Sequence, residues 1–108
     1  MIYTIDDIRN KTVPIAKEFG ISRMSLFGSY ARGEATDDSD VDLYIDRGKL
    51  SNLLQYFAFV DELENALHCH VDVVTTGIED KQFLSVIMQE GVLLYEEEKI
   101  RNKERVTY

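Results

Sequence analysis

Apolar residues along this chain recur with two periods, and the change from one to the other marks its elements. Ile5 and Ile8, then Ile15, Ala16 and Phe19, follow helical spacing. Thr4 stands before them as an N-cap, with Asp7 three residues later and acids in the first turn. Pro14 interrupts this pattern. Inside a helix it removes a hydrogen bond and clashes with the carbonyl of Asn10, at a cost of ~3 kcal/mol. A kink or break is therefore expected over residues 10–13, with Pro14 in the first turn of a second segment. Gly20 reads as the C′ residue that ends it.

Ser22 to Phe27 reads as a strand with Met24 and Leu26 on one face, stopped by Gly28-Ser29. Ser29 to Arg32 opens a short helix that Gly33 closes, and the polar run Glu34 to Ser39 is a loop. Asp40 to Asp46 alternates cleanly: Val41, Leu43 and Ile45 face one way, and Asp40, Asp42, Tyr44 and Asp46 the other. Leu53, Leu54, Phe57, Val60, Leu63, Glu64 and Leu67 follow an amphipathic helix, with Ser51 as its expected cap. The aromatic cluster Tyr56-Phe57-Phe59 is expected in the core. His70 to Thr75 is a third strand ended by Gly77, and Asp80 to Gln89 a helix with Phe83, Leu84, Ile87 and Met88 on one side, closed by Gly91. Val92 to Tyr95 fits an edge strand or a packed segment. Residues 1–95 are expected to form one domain and 96–108 a charged C-terminal tail without a sustained apolar face.

Composition narrows the class. A chain of 108 residues, 44% hydrophobic and 30% charged, can bury a core as one soluble domain. No apolar run approaches the ~18 residues of a membrane span, and the start of the chain lacks the pattern of a secretory signal. Cys69 is the only cysteine, which excludes an intrachain disulfide and fits a cytoplasmic location. The net charge of −8 argues against direct nucleic-acid binding and suits a basic protein partner.

The chemistry gathers in two stretches. A strand that runs into a helix through Gly28-Ser29 turns backbone N–H groups outward, a natural anion site. Gly28 lets the backbone approach a phosphate, and the Ser29 hydroxyl adds a donor. Gly28 and Gly33 have P-loop spacing, but Glu34-Ala35 stands where Lys-Ser/Thr is required, so that motif is excluded. Asp40 and Asp42 lie at i and i+2 of a strand, on one side, within reach of shared metal ions. Asp72, flanked by Val71 and Val73, is a charge within an apolar strand and needs a partner or a metal. If that strand lies beside Asp40 to Asp46, three carboxylates converge. His68, Cys69 and His70 look like a metal cluster. Only His68 and His70 can share a face, however, and two ligands are too few for zinc. His70 does share a face with Asp72.

Gly28-Ser29, ten residues, Asp40-Val41-Asp42 and a later apolar-flanked Asp72 resemble the DNA polymerase beta nucleotidyltransferase superfamily. The fuller string Phe27 to Ala35 with Ser39 to Leu43, and the closing Glu90 to Tyr95, is similar to its smallest members, the MNT minimal nucleotidyltransferases. The resemblance implies an α/β fold, a short mixed sheet flanked by helices. It implies that Gly28 and Ser29 hold the phosphates of ATP, with Arg32 a further candidate, and that Asp40, Asp42 and Asp72 are catalytic and bind Mg²⁺, two ions in number. It further implies an antitoxin that transfers AMP from ATP to a tyrosine of a HEPN-type ribonuclease toxin, with which it could form a hetero-oligomer. Two alternatives stand beside this: an antitoxin that acts by binding alone, and a nucleotidyltransferase with a small-molecule acceptor.

Overall fold

The computed structural model describes residues 2–75 and 81–97. Helices α1 (Ile5–Glu18), α2 (Gly28–Arg32), α3 (Leu53–Leu67) and α4 (Lys81–Glu90) alternate with strands β1 (Arg23–Phe27), β2 (Val41–Asp46), β3 (Val71–Thr75) and β4 (Val92–Glu96). The four strands form one mixed sheet in the order β3-β2-β1-β4. β1 pairs antiparallel with both β2 and β4, and β2 pairs parallel with β3. This is the expected α/β architecture.

α1 starts as its sequence dictates. The Thr4 hydroxyl accepts from the Asp7 N–H at 3.0 Å and the Asp7 carboxylate accepts from the Thr4 N–H at 3.1 Å, a closed capping box. At the other end Gly20, at φ +74°, lets its N–H reach Lys17 O while Ile21 N–H reaches Ala16 O. The break expected at residues 10–13 does not occur: one helix runs through Pro14. Asn10 and Pro14 are both exposed, so water can take the hydrogen bond that Pro14 cannot donate. On the opposite side Ile8, Thr12 and Ala16 are wholly buried, and that burial offsets the proline penalty. Thr12 satisfies its hydroxyl by donating to Ile8 O at 2.8 Å.

The core lies between one face of the sheet and the pair α1/α3. Met24 and Leu26 of β1, Val41, Leu43 and Ile45 of β2, and Phe59 and Leu63 of α3 are all fully buried there. Phe19 and Phe59 pack with ring centroids 5.4 Å apart. α3 differs from expectation in two respects. Its cap is Asn52, whose side chain accepts from Gln55 N–H at 2.9 Å, while Ser51 donates to the Gln55 side chain. Its core seam is Phe59, Leu63 and Leu67 with Tyr56 half-buried beside them. Leu53, Leu54 and Phe57 are exposed. Two apolar stripes run along this helix, and only the one over the sheet is covered. The aromatic cluster is divided accordingly: Phe59 is core, and Phe57 is not.

Val92 to Glu96 is an edge strand on β1, tied to α1 by Arg9, whose guanidinium donates to the carbonyls of Leu93 and Leu94. Glu96 thus belongs to β4. The rest of the charged tail from residue 98 on, and the turn at Gly77, lie outside the described residues. Among those residues no helix is long and apolar enough to cross a membrane.

Candidate active site

The alternation of β2 places Asp42 on the sheet face opposite the core. Val41 N–H donates to His70 O at 3.1 Å, which sets the parallel register of β2 and β3 so that Asp42 lies directly beside Asp72. Asp40, just ahead of β2, is exposed near Asp72, and one donor atom each from Asp40, His70 and Asp72 lie within 4.8 Å of one another. The three aspartates singled out in the sequence therefore converge at the β2/β3 end of the sheet. Burial together with the neighbouring charge of Asp72 pushes the Asp42 carboxyl up from 3.8 to about 6, with Asp40 adding to the effect and Arg32 opposing it. The site holds more negative charge than its own side chains balance.

Gly28 is fixed by two constraints. The chain leaves β1 there at φ +74°, which L side chains rarely adopt. Phe27 pairs with Asp42 across the β1/β2 ladder, so an added Cβ at Gly28 would meet the Asp42 carboxylate oxygen at 2.3 Å. The turn and the carboxylate are built into one another. Ser29 follows in the first turn of α2, whose N-cap is Phe27, a residue with no side-chain acceptor. No side chain caps that turn. Gly33 closes α2 in the left-handed region.

Arg32, the remaining predicted residue, sits at the end of α2. Its guanidinium pairs with Glu34 at 2.9 Å and with Glu90 of α4 at 3.5 Å, and these contacts raise its pKa, the Glu34 hydrogen bond most of all. The charge of Arg32 nonetheless reaches Asp42.

Two features escaped the sequence reading. Glu64, in the last turn of α3, accepts the Val71 N–H at 3.0 Å and lies 3.1 Å from His70 Nδ1, while His70 Nε2 lies 2.8 Å from Asp72 Oδ1. The signal for it was a carboxylate inside the apolar stripe of α3, a position that needs a partner. The second feature is a cleft of about 460 Å³ that runs from Asp42 and Asp72 between apolar walls, among them Phe27, Phe57, Val60 and Phe83. Phe27 and Phe83 meet edge to face at 5.4 Å. His68 takes no part in the cluster. It ends α3 in the left-handed region at φ 56°.

The site thus joins an antiparallel strand pair, with a glycine turn against the Asp42 carboxylate, to a parallel strand that brings Asp72. Residues 10–100 match the family model for polymerase beta nucleotidyltransferases, and the chain belongs to that family. Among relatives, the protein adenylyltransferase MntA of Thermococcus cleftensis is 32% identical over 82% of this chain and 94% of its own. A candidate minimal nucleotidyltransferase of known structure superposes with a TM-score of 0.70 at 29% identity, over 83% of this chain and 95% of that one. A chain of the complex between a tri-AMPylated Shewanella oneidensis HEPN toxin and its MNT antitoxin shares the fold, with a TM-score of 0.65 at 18% identity over 86% and 73% of the two chains.

Proposed function

We propose that this protein is an antitoxin that transfers AMP from ATP to a tyrosine of a HEPN-type toxin and so silences it. The observation that carries the reading is the register of Asp42 on Asp72 with Gly28 against the Asp42 carboxylate. The name of the T. cleftensis relative and the AMP-bearing toxin in the S. oneidensis complex point to a protein as the acceptor. The acidic surface, with a net charge of −8, suits a basic partner. The exposed Leu53, Leu54 and Phe57 offer that partner an apolar contact beside the cleft.

In this reading the backbone N–H groups at Gly28 and Ser29 hold the terminal phosphates of ATP, and Arg32 adds positive charge nearby. Asp40, Asp42 and Asp72 would hold Mg²⁺, two ions in number. Burial first, and then the neighbouring charge of Asp72, raise the Asp42 pKa, and a cation would favour the ionised form against both. Bound Mg²⁺ supplies acidification of the acceptor hydroxyl and charge balance for the leaving group. Asp72, on the edge strand, faces the incoming hydroxyl. The tyrosine oxygen bonds to the α-phosphorus, the bond from that phosphorus to the bridging oxygen breaks, and pyrophosphate departs. The hydroxyl proton passes to a site carboxylate and on to water. In this reading the apolar cleft takes the acceptor ring.

ATP labelled at the α-phosphate tests the proposal. Incubated with Mg²⁺, this protein and its partner, it should label the partner, whereas ATP labelled at the γ-phosphate should not. Label from the γ-position, or none from either, contradicts the assignment.

A further inference from the structure

The transfer reaction gives His70 no part, yet its ring is held on both sides by carboxylates. Nδ1 lies 3.1 Å from Glu64 Oε2 and Nε2 lies 2.8 Å from Asp72 Oδ1. Glu64 is itself anchored, since the same oxygen accepts the Val71 N–H at 3.0 Å. Glu64 thus lies against Nδ1 while Nε2 faces the aspartates, and with the hydrogen on Nδ1 the ring presents a lone pair to them. A lone pair on Nε2 aimed at Asp72 is repelled unless a positive centre sits between them. Asp40, His70 and Asp72 bring three donor atoms within 4.8 Å of one another, close enough to converge on one metal ion. A carboxylate on one ring nitrogen and a metal on the other is the usual way a histidine ligand is oriented and made more basic.

We propose that His70 Nε2 is a ligand of the cation held by Asp40 and Asp72, with Glu64 as its positioning residue. The mixed donor set favours a nitrogen-tolerant first-row divalent ion over Mg²⁺. Mg²⁺ takes oxygen ligands almost exclusively and keeps its waters, so an imidazole offers it little. First-row ions such as Mn²⁺ gain from the added nitrogen, because imidazole is a softer donor than carboxylate or water. All three donors are exposed, so phosphate oxygens and water complete the coordination. The inference rests on the carboxylates binding a cation at all, and the test separates the two claims.

Mn²⁺ is the probe, with inorganic tripolyphosphate as a nitrogen-free stand-in for the phosphates of ATP. Electron spin echo spectra of Mn²⁺ bound to the full chain should show ¹⁴N modulation from one imidazole. His70→Ala should abolish the modulation, weaken Mn²⁺ by about tenfold or more, and leave Mg²⁺ affinity nearly unchanged. Glu64→Gln should keep the modulation and weaken Mn²⁺ less. His68→Asn, which alters a histidine away from the cluster, should change neither. The side chain of His70 is 59% exposed, so its truncation spares the core. Mn²⁺ that binds to wild type and is lost in Asp72→Asn, yet shows no ¹⁴N modulation or keeps it in His70→Ala, overturns the histidine ligand alone. Wild type that binds no Mn²⁺, with or without tripolyphosphate, overturns the carboxylate site and the transfer chemistry built on it.

Discussion

The two faces of the sheet are made by the same strands and live in different environments. On β2, Val41, Leu43 and Ile45 are fully buried under α1 and α3, while Asp42, Tyr44 and Asp46, one residue out of phase, stay partly open. The covered face is apolar and close-packed, and its residues contribute stability by leaving water. On the open face burial works against the charged form, so Asp42 is held at about 6 by burial and by Asp72. Under the proposed function, what is lost there in stability is recovered when a cation binds. A period of two lets one strand of six residues, Val41–Asp46, serve both ends.

Substitutions on the two faces should therefore separate cleanly. Asp42→Asn on the open face should lower transfer by about 10³-fold, as expected for a lost electrostatic contact to the reacting group. The same variant should be slightly more stable than wild type in EDTA, by less than about 1 kcal/mol because the group is partly solvated. Activity assays and urea melts in parallel check both halves. Leu43→Ala, its neighbour on the covered face, should cost about 2–5 kcal/mol of stability and leave turnover per folded molecule unchanged. Equal loss of turnover in the two variants would erase the distinction between the faces.

Gly28→Ala joins them, because the new methyl group meets the Asp42 oxygen and the backbone is at positive φ. It should cost about 1–3 kcal/mol and also weaken ATP binding, read by melts and calorimetry. pH sharpens the contrast further. The folded Asp42 carboxyl binds its proton more tightly than in the unfolded chain, so its contribution is full below 3.8 and is lost as pH rises through about 6. His70, raised above 6.5 chiefly by its hydrogen bond to Asp72, contributes fully below 6.5 and loses that contribution as pH rises through its folded value. Both act in one direction. In EDTA the urea midpoint should fall as pH is raised from 4 to 8, and the double variant Asp42→Asn, His70→Ala should flatten the curve. The smallest effect belongs to Arg32→Ala, whose pairs with Glu34 and Glu90 are solvent-exposed, so its urea midpoint should match that of wild type. A far larger loss of ATP affinity than of stability would show that Arg32 exchanges those pairs for phosphate.

Local pattern carried the open face well. The glycines at 28 and 33 bracket α2, and the alternation of β2 put Asp42 on the face away from the core. The misreadings share a cause: each turned on what lies across the fold. Pro14 reads as a break because the helix rule is local, but Ile8, Thr12 and Ala16 gain enough from α3 and the sheet to carry the helix through. Along α3 two stripes compete, and which one is covered depends on where β3 lies. The Glu64–His70 contact joins the end of a helix to the strand after it, and no spacing rule encodes it. Whether Val92 to Tyr95 pairs was open for the same reason, since its partner β1 lies some seventy residues back.

The measurement that bears most directly on the central claim is the intact mass of the partner toxin after co-expression. With wild type, the toxin should carry one or more AMP units, on tyrosine by fragmentation, and cells should grow. With Asp42→Asn, which keeps the fold, the toxin should return unmodified and cells should arrest. Full protection by Asp42→Asn with no mass increase in either experiment would contradict transfer as the mechanism and leave inhibition by binding alone.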